Sequence, residues 1–196
     1  MTCAKACRGM VRVLRFAAVA ALTTACVAPV VRPENMVPSI ARPNVPVSAR
    51  TLEIARVTGG EKSGVTGGGP HEWVRIDDDN FREAVLRSLQ QAGLFKDVMK
   101  DEAGDYALTA EITSQGTNRV GFITYTAQLL VMYALVDKKD NKELWREHIF
   151  SQHTADGQYF SESFEGASRK ANEGAVRENL SQLIGRLASF LEGNRK

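Results

Sequence analysis

Four stretches of the chain each predict a β-strand, and hydrophobic residues recur at every second position in the first three. The first is residues 51–57 and the second is residues 106–113. A long strand is predicted over residues 121–136, and another over residues 143–153, joined by a polar hairpin. Alternation with a period of two places one set of side chains in a core and the other set toward water.

Two other stretches carry hydrophobic residues at helical spacing. Residues 80–92 predict a helix in which Asn80 and Glu83 form a capping box and Gly93 ends the helix. A second, longer helix is predicted from Gly166 to Glu192. Its apolar residues recur every three or four positions, which is typical of a helix packed on a core.

The predicted order of elements is therefore β-α-β-β-β-α over residues 51–192. This order favours a single α+β domain. We expect a four-stranded, mostly antiparallel sheet with both helices packed on one face.

The long strand is apolar on both faces in its second half. Its inward set alternates from Ile123 to Leu135, while its other face begins polar and then becomes apolar. The candidate interaction face consists of the apolar residues on that second side: Leu130, Met132, Ala134 and Val136. Exposed apolar patches of this kind often mark interaction sites. We expect the proline-rich segment, a second copy or an envelope protein to cover it.

The N-terminal segment has the pattern of an export signal. Four basic residues precede an apolar run, residues 16–25, and no acidic residue occurs before Glu34. A helix of that length reaches roughly 15 Å, whereas a membrane span needs about twenty apolar residues. Residues 1–25 are therefore predicted to be a signal peptide, with Met1 or Met10 as the start.

The residues around Cys26 resemble the lipobox of bacterial lipoproteins. Small residues, Thr24 and Ala25, precede the cysteine, although Thr23 stands where the pattern prefers leucine. The resemblance implies that Cys26 carries a diacylglyceryl anchor and palmitate. Val27 in place of aspartate favours the outer membrane, facing the periplasm, and leaves the inner membrane open. The alternative is an ordinary cleaved signal with an incidental cysteine.

Processing at Cys26 changes the composition. The full chain has 25 basic and 23 acidic residues, and four of the basic residues lie in residues 1–25. The mature chain therefore has 21 basic residues and a net charge of about −2, without the basic stripe of a nucleic-acid-binding protein. Cys3 and Cys7 are lost with the signal, so the sequence predicts no disulfide framework.

Residues 26–50 are predicted to form a tether. Five of the six prolines of the chain lie in this segment. Proline-rich segments are extended and semi-rigid, and about 24 residues at polyproline rise reach roughly 70 Å. The tether would hold the domain away from the membrane surface.

The remaining candidates for chemistry lack the pattern that their chemistry requires. The glycine-rich residues 59–69 lack the glycine that a phosphate-binding loop places before Lys62-Ser63. His148 and His153 are five apart on a predicted strand and so point to opposite faces. We predict no catalytic residue, no metal site and no cofactor.

The layout resembles small Gram-negative envelope lipoproteins. The resemblance rests on Cys26, the helix at residues 81–89, the long strand ending at Val136-Asp137 and the return through Leu144-Trp145. It is similar to the lipopolysaccharide-assembly lipoprotein, YajG-type lipoproteins and transport-auxiliary lipoproteins. The resemblance implies a non-catalytic accessory or scaffold subunit of an envelope assembly or transport complex. The alternative is a lipid- or amphiphile-binding module.

Overall fold

A computed structural model describes residues 31–39, 41–61, 74–101, 104–157 and 164–194, without the side chains of residues 164 and 165. The predicted signal peptide, Cys26, most of the glycine-rich loop and His71 lie outside the described residues.

The described residues form one five-stranded sheet and three helices. In the sheet the strand order is β2-β1-β3-β4-β5. Strand β1 is parallel to both β2 and β3, whereas the β3–β4 and β4–β5 pairs are antiparallel. The elements are α1 (Pro33–Met36), β1 (Ser48–Thr58), α2 (Asp78–Ala92), β2 (Phe95–Lys100), β3 (Tyr106–Arg119), β4 (Thr124–Asp137), β5 (Lys142–Asp156) and α3 (Phe164–Gly193).

The α+β class is confirmed, but the predicted four strands and two helices are wrong in detail. The sheet is mixed because β1 pairs in parallel with both of its neighbours, β3 and the unpredicted β2, which follows β1 after the α2 crossover. Phe95 and Val98 are the buried residues of β2. They are three positions apart, so the strand lacks the alternation by which the other strands are recognised.

Helix α2 begins two residues earlier than predicted because a different residue caps it. The side chain of Asp77 accepts a hydrogen bond from the backbone N–H of Asn80 at 2.9 Å. The predicted capping box of Asn80 and Glu83 is therefore wrong. Gly93 ends the helix as predicted, in the left-handed conformation (φ 63°) that glycine adopts at little cost.

Helix α3 packs across β4 and β5 on the same side of the sheet as α2. The inward face of β4 is buried beneath it from Tyr125 to Leu135, as the alternation predicts. Gly174 allows close approach, since a Cβ atom there would lie 2.0 Å from Cδ2 of His153. The buried apolar residues of α3 are Ala167, Ala171, Ala175, Val176, Leu180, Leu183, Ile184, Leu187, Ala188 and Leu191.

A short described segment before β1 is folded onto the helices. Residues 31–36, here called the N-terminal arm, bury Val31 and Met36 in the core. The arm contacts both α2 and α3. The backbone N–H of Arg32 donates to Oε1 of Glu173 at 3.0 Å, and Nδ2 of Asn35 donates to its Oε2 at 3.1 Å. The structure thus differs from the extended tether predicted over residues 26–50, because the arm buries apolar side chains and β1 already begins at Ser48.

Candidate interaction face

The four predicted residues of the interaction face lie on one side of β4, opposite α2 and α3. Leu130, Met132 and Val136 are half-buried, and Ala134 is 4% exposed. The sheet brings the four into one row because they are alternate residues of a single strand. Among the described residues no helix packs on this side of β4.

Neighbouring strands extend the row sideways. On the β3 side, Ala107 pairs with Val136 and Thr109 pairs with Ala134. On the β5 side, Phe150 pairs with Leu130 and has 52% of its surface exposed. We call the row and its two flanks the open face: Leu130, Met132, Ala134, Val136, Ala107, Thr109, Glu111, Arg146, His148 and Phe150.

Arg146 crosses the open face. Its Nη1 lies 3.0 Å from Sδ of Met132, and its Nε donates to Glu143 at 2.9 Å. The hydrogen bond from Arg146 lowers the pKa of Glu143. Both groups are largely exposed, so this pair contributes little to stability. Glu111, which pairs with Met132 from the β3 side, adds a second negative charge within reach of Arg146.

A second ion pair marks the end of the row near Val136. Lys138 contacts Glu53, so the charge pair spans from the end of β4 to β1 across β3. The open face therefore consists of an apolar centre bordered by charges of both signs. An apolar centre with a polar rim is the usual anatomy of a protein–protein interface.

The two histidines of β5 lie on opposite sides of the sheet, as their spacing predicts. His148 pairs with Met132 on the open face, whereas Nδ1 of His153 lies 2.8 Å from Glu178 of α3. No group of three or more histidine, cysteine, aspartate or glutamate residues within the described ranges has the arrangement of a metal site.

A buried polar cluster joins the sheet to α3 on the side away from the open face. The hydroxyl of Tyr133 donates to Oδ1 of Asn179 at 2.7 Å, and Nδ2 of Asn179 donates to the carbonyl of Ile149 at 2.8 Å. Ser151 donates to the carbonyl of Ala175 at 2.8 Å. Burial raises the pKa of Tyr133 well above its ordinary value. These groups are enclosed and paired with one another, so we assign them to packing.

A cavity of about 380 Å³ lies where the C-terminal end of α3 meets the strand ends. Leu144, Phe190 and Tyr106 supply its apolar wall, and Asp137 and Lys142 are among its polar residues. Charged residues and exposed Asn194 in the lining make it a wet cleft. Ligand pockets for apolar molecules are lined mainly by hydrophobic side chains.

Sequence reasoning identified the row on β4 but missed Arg146, Glu111 and the exposure of Phe150. Those features depend on strand register, which brings Arg146 beside Ala134 and Phe150 beside Leu130. The sequence did contain one signal for this border: β5 carries polar residues on the side that faces the same way as the apolar row of β4. Cys26, the predicted lipidation site, lies outside the described residues.

The chain is similar to solved structures at the level of fold. Protein XCC0632 from Xanthomonas campestris, described as DUF330, matches with a TM-score of 0.66 and 15% identity, covering 85% of this chain and 98% of that one. Protein CT253 from Chlamydia trachomatis matches with a TM-score of 0.52 and 10% identity, covering 75% of this chain and all of that one. A minor lipoprotein from Acinetobacter baumannii matches with a TM-score of 0.43 and 8% identity, covering 74% of this chain and 94% of that one.

These identities are low, so the likeness shows a shared fold and transfers no activity. No family model matches the sequence, and no curated protein matches it. The predicted resemblance of this chain to proteins of Gram-negative bacteria is therefore confirmed at the level of the fold alone. The finer resemblance to the lipopolysaccharide-assembly, YajG-type and transport-auxiliary lipoproteins stays a prediction. Of the helices in the described ranges, none has the length and apolar character needed to cross a bilayer.

Proposed function

We propose that the protein is a periplasm-facing lipoprotein that acts as a non-catalytic accessory or scaffold subunit of an envelope complex. Cys26 would hold it to the membrane, preferably the outer membrane, and the open face would contact another envelope protein. The anchor is supported by the sequence pattern before Cys26.

The open face is the observation that carries the partner proposal. Side chains as apolar as Leu130, Met132 and Phe150 lie on a face that no described helix covers. Burying such side chains stabilises a complex by roughly 25 cal/mol for each Å² removed from water. The bordering pairs Arg146–Glu143 and Lys138–Glu53 would give orientation more than affinity.

The alternative, a lipid- or amphiphile-binding module, has weaker support. Its candidate site is the cleft of about 380 Å³, whose lining includes Asp137, Lys142 and Glu143. An acyl chain placed there would lie against charged groups that lose solvation. A flat apolar row with a charged border fits a protein partner better.

The partner proposal is tested by photo-crosslinking in intact cells. A photoreactive residue replaces Met132 on the open face, and a matched probe replaces Ser189, an exposed residue of α3. We expect the Met132 probe to give one defined adduct with an envelope protein, and the Ser189 probe to give none. Adducts with the same protein from both probes, or adducts only between copies of this chain, would overturn the proposal.

The anchor is tested separately with Cys26→Ser. We expect this variant to lose acylation and to leave the membrane fraction. Metabolic labelling with a fatty acid analogue and flotation of membranes measure the two effects. Unchanged membrane partition would refute the lipid anchor while leaving the crosslinking result independent.

A further inference from the structure

Two exposed hydrophobic residues lie together at the turn between β3 and β4. Val120 and Phe122 are each 62% exposed, and Gly121 separates them. The guanidinium of Arg119 lies 5.4 Å from the centre of the Phe122 ring, and its Nε donates to the carbonyl of Gly121 at 2.9 Å. We call residues 119–123 the β3–β4 tip. It presents two apolar side chains and a cation on a loop that is closed by a hydrogen bond from the backbone N–H of Val120 to the carbonyl of Thr124 at 3.0 Å.

The start of α3 lies at the same end of the molecule as this tip. Nδ2 of Asn172 donates to Oγ1 of Thr117 at 2.9 Å, two residues before the tip begins. The backbone N–H of Gly157 donates to the carbonyl of Ile123 at 2.9 Å, and a Cβ on Gly157 would lie 3.1 Å from Ala167. The first turns of α3 therefore lie beside the base of the tip.

The N-terminal arm runs toward that end as it is followed back to residue 31. Asn35 contacts Arg177 through its carbonyl oxygen and Glu173 through its side chain, whereas the backbone of Arg32 contacts Glu173, which lies one helical turn closer to the start of α3 than Arg177. The arm thus leads back from the middle of α3 to the end that carries the β3–β4 tip.

The distance between Val31 and Cys26 is limited by the chain. Five residue steps separate them, and an extended chain covers at most about 18 Å in that number of steps. This bound is far shorter than the roughly 70 Å expected of a free tether. If Cys26 carries the lipid, the arm holds the domain close to the bilayer with the tip end toward it. The inference therefore rests on the proposed lipid anchor.

We propose that the β3–β4 tip docks on the lipid surface. Val120 and Phe122 enter the interface between headgroups and acyl chains, and the Arg119 guanidinium stays at the level of the phosphates. Phenylalanine is among the apolar side chains that surface-bound segments bury at this interface, and a long basic side chain can bury its stem while its charge remains solvated. Anchoring through Cys26 supplies a high local concentration of lipid, so two apolar side chains suffice.

Docking would fix the orientation of the domain. With the tip end on the membrane, the strands extend away from the surface, and the open face along β4 points sideways into the periplasm. The far end, which carries the cleft and Val47, would lie farthest from the lipid.

The test uses the mature, lipidated protein in vesicles of phosphatidylethanolamine and phosphatidylglycerol. In the lipidated protein the Cys26 sulfur is in a thioether to diacylglycerol, so a cysteine introduced by Phe122→Cys would be the free thiol and take an environment-sensitive fluorophore. The matched control is Val47→Cys, since Val47 is 57% exposed and lies next to Ser48 at the far end. We expect a blue shift and quenching by spin-labelled lipid at position 122, and neither at position 47.

A label at position 122 that remains in water while the protein floats with the vesicles would overturn the docking and leave the anchor intact. A lipidated protein that fails to float, or a Cys26→Ser variant that floats equally well, would instead refute the anchor. A further variant, Val120→Asp combined with Phe122→Asp, should keep the thermal midpoint of the parent because both side chains are exposed. A fluorophore is then placed at the neighbouring position by Arg119→Cys, with and without the two aspartates. We expect the blue shift of this label to be lost when the aspartates are present. An unchanged blue shift would contradict insertion.

Discussion

Tyr133 of β4 donates a hydrogen bond to Asn179 of α3 across 2.7 Å, and both side chains are buried. Nδ2 of Asn179 in turn donates to two groups of β5, the carbonyl of Ile149 and the hydroxyl of Ser151. Helix α3 is therefore fixed to β4 and β5, two of the three strands that carry the open face.

Removing the tyrosine hydroxyl should destabilise the fold. Tyr133→Phe leaves Oδ1 of Asn179 buried and unpaired, which costs about 1–3 kcal/mol. Urea denaturation measures this loss of unfolding free energy. In the double variant with Asn179→Leu, the second substitution removes the unpaired acceptor, so the two losses should be less than additive. Strictly additive losses would contradict a direct connection.

Docking of the N-terminal arm on α3 should depend on Glu173. Glu173 is 3% exposed and its carboxylate accepts from Arg32 and Asn35, so Glu173→Ala leaves these donors without their acceptor. We expect faster hydrogen exchange of the Arg32 amide and a loss of about 1–3 kcal/mol in unfolding free energy. The matched control is Glu178→Ala on the same helix, because Glu178 is exposed and pairs with His153. Equal exchange in both variants would contradict the assignment.

Replacing each of two glycines of α3 by alanine should change the unfolding free energy in opposite directions. A Cβ atom at Gly185 would meet no other atom within 4 Å, so Gly185→Ala should raise the unfolding free energy by about 0.5–1 kcal/mol. Gly174→Ala should lower it by more than about 1 kcal/mol, since the new Cβ overlaps the His153 ring. Thermal unfolding measures both. Shortening the neighbour with His153→Ala should restore part of the loss, and no recovery would contradict the overlap.

The pKa of Asp105 should depend on Thr51. The backbone N–H of Thr51 and its hydroxyl both donate to the carboxylate, at 2.8 and 3.0 Å, and they lower its pKa below the ordinary 3.8. The unfolded chain therefore takes up this proton first as the pH falls, so the stabilisation is present above pH 3.8 and is lost as the pH falls through the lowered pKa. Thr51→Val should move the pKa part of the way back, as measured by carboxyl NMR titration, while the pKa of Glu143 stays the same. An unchanged pKa for Asp105 would contradict the contribution of the hydroxyl.

The elements that the sequence predicts well are those whose burial repeats with a regular period. The inward residues of β4, from Tyr125 to Leu135, are buried in alternation, and Leu180, Leu183 and Leu187 recur at helical spacing. Local periodicity is enough for such elements because one face packs on the core along their whole length.

The elements that the sequence does not predict depend on distant partners. Val31 and Met36 lie among prolines and show no period, and their burial requires α2 and α3 to be present. Strand β2 likewise exists because β1 offers an edge for parallel pairing. The row of the open face was predictable from two-sided apolarity, whereas its charged border depends on register with β3 and β5.

The contact between Arg32 and Glu173 joins residues 141 positions apart in the chain. A contact of such high sequence separation forms late in folding, because the entropy of closing the loop has to be offset by structure already in place. The N-terminal arm can dock only after α3 has formed on the sheet.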